Sequence, residues 1–241
     1  MEYFPSFPFS ERHDVYPEVD PAEQYATGTH KGKVVFLTGS SRGIGEDLAM
    51  TYAKKVLDEV KAKILHEAPS ADVLVVPTDM VNVIQVEAAV KAGIERFGRL
   101  DIVIANAGAG DGFTQSMTEK DPSEWWKVME VNVRGVYNVA HFTLPYLTKV
   151  HWYFLVTTSI GGLLRVANGS PYSVSKAAAN MFVEYITLEF PEVKTFALNP
   201  GLVDTEMTRG TRFVPEDNVQ ILSVNWDIGE IQRDWKDKIL D

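Results

Sequence analysis

The sequence predicts a protein of the α/β class, with one doubly wound parallel sheet that is covered by helices on both faces. From residue 33, short apolar runs alternate with segments of helical period, which is the pattern of such a sheet. Each apolar run is continuous, as strands buried on both faces must be. The chain of 241 residues is long enough for one large domain with a substantial core. We therefore assign residues 31–241 to a single domain.

The apolar runs and the helical segments can be placed along the chain. Five runs are predicted as strands, at 33–39, 72–79, 100–108, 152–159 and 194–201. A helix is predicted where apolar residues recur at helical spacing, at Val83, Val86, Val90, Ile94 and Phe97. Another begins at the sequence DPSEWW, where Asp121 can cap, Pro122 takes the first helical position and Glu124 completes a capping box.

Composition narrows the classes of partner. The net charge is −10, and a surface this acidic repels phosphate backbones and anionic lipid, so we expect neither nucleic acid nor a membrane as a partner. The chain has no cysteine, which suits a reducing compartment, and we expect a cytoplasmic location. The five histidines show no metal-ligand spacing, so no metal site is predicted.

Residues 1–30 are predicted to form an extended arm before the domain. This segment contains one basic residue, Arg12, four prolines and no apolar run long enough for a signal or transmembrane segment. Its aromatic residues indicate that part of it lies against the domain; disorder is the alternative.

The distinctive residues fall at the predicted carboxyl ends of the strands, which is where open α/β sheets bind ligands. The first strand ends in TGSSRGIG, from Thr38 to Gly45. Glycines permit a tight turn and a close approach of the backbone, and the helix that follows offers its N-terminus to a pyrophosphate. A glycine-rich turn is a weak signal by itself, but its place between a strand and a helix favours a dinucleotide site.

A second motif is PYSVSK, in which Tyr172 and Lys176 lie one helical turn apart. At this spacing both side chains point from one face of a helix. A free tyrosine has a pKa near ~10 and is a poor acid–base group at neutral pH unless a cation favours the phenolate, which Lys176 could supply. An incidental pair on a surface helix is the alternative, and the motif alone does not decide between them.

Several motifs in the same order resemble the classical short-chain dehydrogenases/reductases, over about Lys31 to Thr208. They are TGSSRGIG, Asp79 at a strand end, NAG at 106–108, Asn132 in EVNVRG, Ser159 in TTSIGG, YSVSK, and NPG at 199–201 with Val203 and Thr205. The resemblance implies a Rossmann fold and an NAD(P)-dependent oxidoreductase that acts on a carbonyl or secondary alcohol.

The resemblance also implies roles for individual residues. Tyr172 would be the general acid–base, and Lys176 would lower its pKa and hydrogen-bond the nicotinamide ribose. Ser159 would hold the substrate oxygen, and Asn132 would support a proton relay through water. Seen alone, Ser159 could merely cap a strand and Asn132 could merely bind helix backbone. The implied cofactor-binding residues are Gly39, Ser41, Arg42, Gly43, Ile44, Gly45, Asp79, Met80, Asn106, Ala107, Gly108, Tyr172, Lys176, Pro200, Gly201, Val203 and Thr205.

Cofactor choice and self-association follow from the same resemblance. Arg42 is similar to the basic residue that NADP-preferring members use against the 2′-phosphate, which favours NADP over NAD; a solvated turn residue is the alternative.

We also expect a homo-oligomer, dimer or tetramer, through two apolar helices. One contains Trp125, Val128, Tyr137, Val139 and Phe142, and the other contains Ala178, Met181, Phe182 and Tyr185. The alternative is that these faces pack on the sheet.

The sequence departs from the family in two places. Between the first helix and Asp72 no apolar strand is found, and the segment reads as one helix of roughly 25 residues, so the second strand is predicted to be missing or displaced. Only 40 residues follow Gly201 (241 − 201), which is short for a substrate lid, a helix and a last strand. Residues 221–227 resemble the end of that strand. A shortened paralogue and a misdrawn gene model both explain these losses.

Two hypotheses follow. The first is an active oxidoreductase with Asn132, Ser159, Tyr172 and Lys176 as its catalytic set. The second is a catalytically impaired or silent relative that acts as a binding or interaction protein. The four retained residues favour the first hypothesis, and the missing strand and lid favour the second.

Overall fold

Four parallel strands form the sheet in this computed structural model, which describes residues 31–45, 48, 71–165, 167–201, 203 and 205–208. The strands are β1 (Val35–Leu37), β2 (Ile102–Ala105), β3 (Tyr153–Thr157) and β4 (Lys194–Leu198). They lie side by side in chain order, and each neighbouring pair is parallel. The prediction of an α/β fold with a parallel sheet is confirmed.

The helices with defined bounds are α1 (Val83–Phe97), α2 (Pro122–Met129), α3 (Gly135–Leu147) and α4 (Ser170–Glu189). A π-helical turn (Glu130–Arg134) joins α2 to α3, and a 3-10 turn (Ile160–Gly162) follows β3. Residues 43–45 are also helical, directly after the glycine-rich turn. Parallel strands need such crossover connections, because a short turn cannot return the chain to the same end of the sheet.

The ends of α1 and α2 follow from their sequences. The side chain of Asn82 accepts a hydrogen bond from the Gln85 amide at the start of α1, and Gly98 ends this helix in the left-handed conformation. At α2, Asp121 caps as predicted. The predicted capping box is not seen, because the Glu124 carboxylate lies 3.5 Å from Lys127 on its own helix.

The core lies around β2 and β3. All four residues of β2 are buried, and α3 and α4 cover the sheet with apolar side chains such as Leu147 and Ile186. The expectation that every strand is buried on both faces is wrong for β4, where Phe196 keeps 49% of its surface exposed. In the described sheet β4 is an edge strand, so no neighbouring strand shields its outer side.

The prediction of a strand at 72–79 is wrong. This segment pairs with no strand among the described residues, and Leu74 and Val76 are exposed. A cavity of about 280 Å³ lies between it, β1 and α1. An apolar run can form a strand only if a neighbour completes its hydrogen bonds, and β1 does not reach this segment.

Three other expectations fall on residues outside the described ranges. They are the arm at 1–30, most of the segment between Gly45 and Asp72, where a helix of roughly 25 residues was expected, and the C-terminal part that includes 221–227. The domain assignment to 31–241 therefore stays a prediction.

Candidate active site

A cleft of about 500 Å³ opens at the carboxyl ends of the four strands. One wall is the glycine-rich turn after β1, and another is the chain after β2. The residues after β3, two side chains of α4 and the chain after β4 complete it. The predicted residues that line it are Gly39, Ser41, Arg42, Gly43, Ile44, Gly45, Asn106, Ala107, Gly108, Ser159, Tyr172, Lys176, Pro200, Gly201, Val203 and Thr205.

The glycine-rich turn is held tightly against the end of β2. The Thr38 hydroxyl accepts hydrogen bonds from the amides of Asn106 and Ala107, both at 3.0 Å. Gly39 has φ of +67°, and a Cβ atom there would lie 2.7 Å from the Ala107 Cα. A Cβ atom on Gly45 would lie 2.1 Å from the Gly39 carbonyl oxygen. Only glycine fits at these two positions, so the turn and the start of its helix keep their backbone close together.

Lys176 is a buried cation at the other end of the cleft. Its Nζ donates a hydrogen bond of 2.8 Å to the Thr157 carbonyl at the end of β3. A Cβ atom on Gly108 would lie 3.7 Å from this Nζ, so the absence of a side chain there leaves space beside it. Burial lowers the pKa of Lys176 to about 8, because desolvation disfavours the charged form.

Tyr172 and Ser159 meet in the cleft. The Ser159 hydroxyl accepts from the Gly161 amide at 3.0 Å. A Cβ atom on Gly161 would lie 3.3 Å from the Ser159 Oγ and 3.2 Å from the Tyr172 Cε1, so both side chains lie against the same glycine. Burial raises the pKa of Tyr172, and the Ser159 hydroxyl opposes this effect. The expected lowering by Lys176 is not seen, because desolvation dominates and the Nζ lies 5.6 Å from the centre of the phenol ring.

Asn132 lies behind the cleft, in the π-helical turn. Its Nδ2 donates to the Ala109 carbonyl and to the Ser175 hydroxyl, both at 2.9 Å, and its Oδ1 accepts from the Ala109 amide at 2.8 Å. Ser175 in turn donates to the Tyr172 carbonyl at 2.7 Å. Asn132 thus connects the chain after β2 to the helix turn that carries Tyr172. Single π turns occur frequently at functional sites, since they redirect one side chain.

Asp79 and Met80 do not line the cleft. The Asp79 carboxylate accepts a hydrogen bond from the Val81 amide, within its own turn. Met80 packs beside Gly135, and its carbonyl accepts from Asn138 at 2.8 Å. The expected adenine contact depended on a strand that ends at Asp79, and that strand is not formed.

Sequence reasoning missed several residues that line the cleft: Ala109, Gly110, Val131, Thr157, Thr158, Glu206, Met207 and Thr208. Thr157 acts through its backbone carbonyl, which no side-chain motif reveals. Glu206 could have been noticed, because it follows Thr205 directly and carries a charge opposite to that of Arg42. Its carboxylate accepts a hydrogen bond from Arg42 in an exposed ion pair.

Comparisons with known proteins agree with this geometry. The family model described as short chain dehydrogenase matches residues 33–213, which is most of the chain. The chain belongs to the short-chain dehydrogenase family. It is 33% identical over 219 residues to the short chain dehydrogenase tazN of Aspergillus terreus, a match that covers 84% of this chain and 47% of that protein.

Other members of the short-chain dehydrogenase family have a similar sequence identity to this chain. The 11-beta-hydroxysteroid dehydrogenase-like 2 of Arabidopsis thaliana is 32% identical over 73% of this chain and 61% of its own length. The chain thus spans about half to three fifths of these two relatives. A solved alcohol dehydrogenase from Thermococcus sibiricus, complexed with 5-hydroxy-NADP, has a TM-score of 0.68 and 32% identity, with 77% of this chain and 83% of that chain covered.

Two further properties concern the described residues only. Within them no helix has both the length and the hydropathy that crossing a membrane requires. In the same part of the chain, histidine and acidic side chains form no group of three that could hold a metal ion.

The cleft residues can be compared with the parts of a nicotinamide dinucleotide. The glycine-rich turn places backbone amides at a helix start, which suits a pyrophosphate. Ser159 and Tyr172, which lie against the same glycine, suit a polar group that gains or loses a proton, and Lys176 lies nearby. Asp79, the expected adenine contact, is not among the residues that line the cleft.

Proposed function

We propose that this short-chain dehydrogenase is an NAD(P)-dependent oxidoreductase that interconverts a carbonyl compound and a secondary alcohol. The observation that carries the proposal is the convergence of Ser159, Tyr172 and a buried Lys176 in one cleft. The Thermococcus sibiricus alcohol dehydrogenase, whose structure contains 5-hydroxy-NADP, supports a nicotinamide cofactor.

Residues of this chain would donate and accept the proton of this reaction. The bound nicotinamide would supply or accept the hydride at the substrate carbon. In the reductive direction the substrate oxygen sits between the hydroxyls of Ser159 and Tyr172. Tyr172 gives its proton to this oxygen as negative charge develops there, and Ser159 keeps the oxygen in place.

The electrostatics favour reduction at neutral pH. Burial raises the pKa of Tyr172, so the phenol keeps its proton and is ready to donate it. Lys176 has a pKa of about 8 and is mostly charged at neutral pH, so a cation lies near the phenol during the transfer. Oxidation of an alcohol needs the phenolate at the start, so that direction should require a higher pH.

Asn132 contributes by position in this proposal. Its side chain holds the Ala109 backbone on one side and Ser175 on the other. Because both Nδ2 bonds are made to the protein, a proton relay through water would use its remaining oxygen lone pair. We keep the relay as a proposal and assign the positioning of Ala109 and Tyr172 as the first effect of Asn132.

A silent relative is the second candidate, and one observation favours it. The segment 72–79 forms no strand, and Asp79 is not among the residues that line the cleft. In a doubly wound sheet this region forms the adenosine wall. A chain with an intact reaction centre and a deficient adenosine wall would bind the cofactor weakly and turn over slowly.

The choice between NADP and NAD centres on Arg42. It is exposed at the cleft rim and paired with Glu206, so a 2′-phosphate would compete with a carboxylate for the guanidinium. We expect Arg42→Ala to weaken NADPH binding about tenfold and NADH binding little, since only NADPH carries the 2′-phosphate. Glu206→Gln is the matched variant and should tighten NADPH. Calorimetric titration of both cofactors measures this, and equal losses for both would remove the NADP preference.

Self-association is part of the proposal. Val128 and Val139 lie in the core, so these two side chains pack within the domain and are not available for an interface. Tyr137, Met181 and Tyr185 remain more than half exposed on α3 and α4 and form an apolar face suited to an isologous contact. We expect a dimer or tetramer by sedimentation, and Met181→Asp with Tyr185→Asp should give a monomer. A wild-type monomer at micromolar concentration would contradict the proposal.

Thermal unfolding with and without NADPH tests the proposed function directly. Ligand at 100 times its dissociation constant should stabilise the fold by about 2.7 kcal/mol. A silent relative that does not bind the cofactor would show no shift. Consumption of NADPH with a panel of small ketones and aldehydes then separates a binding protein from an enzyme.

A further inference from the structure

A buried ion pair lies beside the cleft, and the proposed reaction does not use it. The Lys120 ammonium pairs with the Asp111 carboxylate, and their side chains are only 5% and 9% exposed. The second carboxylate oxygen of Asp111 is buried and has no hydrogen-bond partner among the described residues. Removal of Lys120 would therefore leave a buried carboxylate without its counterion, an arrangement that proteins rarely tolerate.

Lys120 also connects two segments that flank Tyr172. Its Nζ lies 3.4 Å from the Asn168 carbonyl, two residues before α4 begins at Ser170. The Trp125 indole, in α2, donates to the hydroxyl of Ser170, the first residue of α4, at 3.1 Å. The chain that follows β2 is thus tied to the helix that carries Tyr172.

Phe113 lies between these ties, two residues after Asp111. Its ring meets the Tyr172 ring edge-on, with 5.7 Å between the ring centres. Its φ is +57°, a conformation that a bulky side chain adopts only when the surroundings hold it there. The buried Asp111–Lys120 pair begins two residues before Phe113 along the chain.

We propose that Asp111 and Lys120 are positioning residues that hold the Phe113 ring against the Tyr172 phenol. The pair fixes the segment before Phe113, and the Asn168 bond fixes the same lysine to the start of α4. The reacting phenol is thereby kept shielded from water on the Phe113 side. The consequence for the reaction rests on the proposed function, but the ring contact itself does not.

The test uses the cofactor-free protein with labelled tyrosine, whose Tyr172 signal is assigned by its loss in Tyr172→Phe. The variant Lys120→Met/Asp111→Asn removes both charges together, so neither is left buried alone. We expect it to lose the nuclear Overhauser contact between Phe113 and Tyr172. We also expect the phenol to titrate closer to its ordinary pKa of ~10, because the ring becomes more exposed.

Two matched variants make the result specific. Lys120→Arg keeps the cation and should keep both the ring contact and the titration. Phe113→Leu should shift the Tyr172 titration as the double variant does, and the combination of all three changes should add nothing further. Lys176 is unchanged throughout, so its effect on the Tyr172 ring is common to all samples.

Two outcomes would overturn the proposal. If the double variant unfolds at a lower temperature but keeps the ring contact and the titration, the pair is only structural. If the effects of the pair and of Phe113 add, the pair does not act through Phe113. Neither readout needs cofactor or substrate, so failure of NADPH binding would contradict the proposed function and leave this inference standing.

Discussion

Replacement of Tyr172 by phenylalanine is expected to reduce turnover about 10³-fold and to leave NADPH affinity nearly unchanged. The change removes the phenol hydroxyl from the cleft and keeps the ring that packs against Phe113. The fold and the shape of the cleft should therefore persist. The measurement is NADPH consumption with a reactive aldehyde, together with a calorimetric titration of the cofactor.

Ser159→Ala is the matched control for the Tyr172 variant. It removes the second hydroxyl at the substrate oxygen and keeps the proton donor, so its loss of turnover should be smaller. Substantial turnover by the phenylalanine variant, in a preparation whose wild-type chain is active, would show that another group supplies the proton.

Replacement of Lys176 by methionine is expected to abolish turnover and weaken cofactor binding, yet to stabilise the fold at neutral pH. Burial lowers the pKa of this lysine from 10.5 to about 8, so the charged form costs about 3 kcal/mol in the folded chain. The lost hydrogen bond to the Thr157 carbonyl offsets part of this gain, which leaves a net effect of about 1–2 kcal/mol.

The pH dependence of this stabilisation has a definite sign. Between pH 8 and 10.5 the unfolded chain binds more protons at Lys176 than the folded chain does, so the wild-type free energy of unfolding rises with pH through this window. Below about pH 8 the penalty is complete, and above 10.5 it is gone. The advantage of Lys176→Met should thus be largest at neutral pH and should shrink as the pH rises.

Denaturant unfolding of both proteins at pH 7 and at pH 10 checks the second prediction. Lys176→Arg is a useful companion, because it keeps a cation that cannot lose its proton and should destabilise the fold at both pH values. A methionine variant that is less stable than wild type at neutral pH would show that the ammonium is not desolvated as the structure indicates.

The sequence anticipated which residues meet in the proposed reaction centre better than it anticipated their pKa values. The helical spacing in YSVSK placed Tyr172 and Lys176 on one face, and the structure brings both into one cleft with Ser159. The sequence could not reveal that Lys176 is buried and hydrogen-bonded to a backbone carbonyl, because burial depends on how α4 packs on β3. The expected lowering of the pKa of Tyr172 failed for the same reason.

The apolar run at 72–79 shows a different limit. Its composition is that of a buried strand, but a strand also needs a partner at the correct distance. In the described residues β1 pairs only with β2, and a cavity separates it from this segment. The sequence pattern of a segment gives its tendency to form a strand, whereas its pairing depends on the neighbouring chain.

The α2 cap and the apolar helices show how far local rules extend. Asp121 caps as predicted, because the cap needs only the next three residues. Val128 and Val139 were expected on an interface, with packing on the sheet as the alternative, and both lie in the core. Helical periodicity identifies an apolar face but does not show what covers it.

The claim that the cleft is a dinucleotide site with a deficient adenosine wall is tested most directly by NADPH titration of two proteins. One is the unmodified chain, and the other carries a family-like strand of about 15 residues inserted between Lys54 and Lys55 to fill the place beside β1. We predict saturable one-to-one binding by both, at least about tenfold tighter in the inserted variant. No saturable binding by either protein, or equally tight binding by both, would contradict the account.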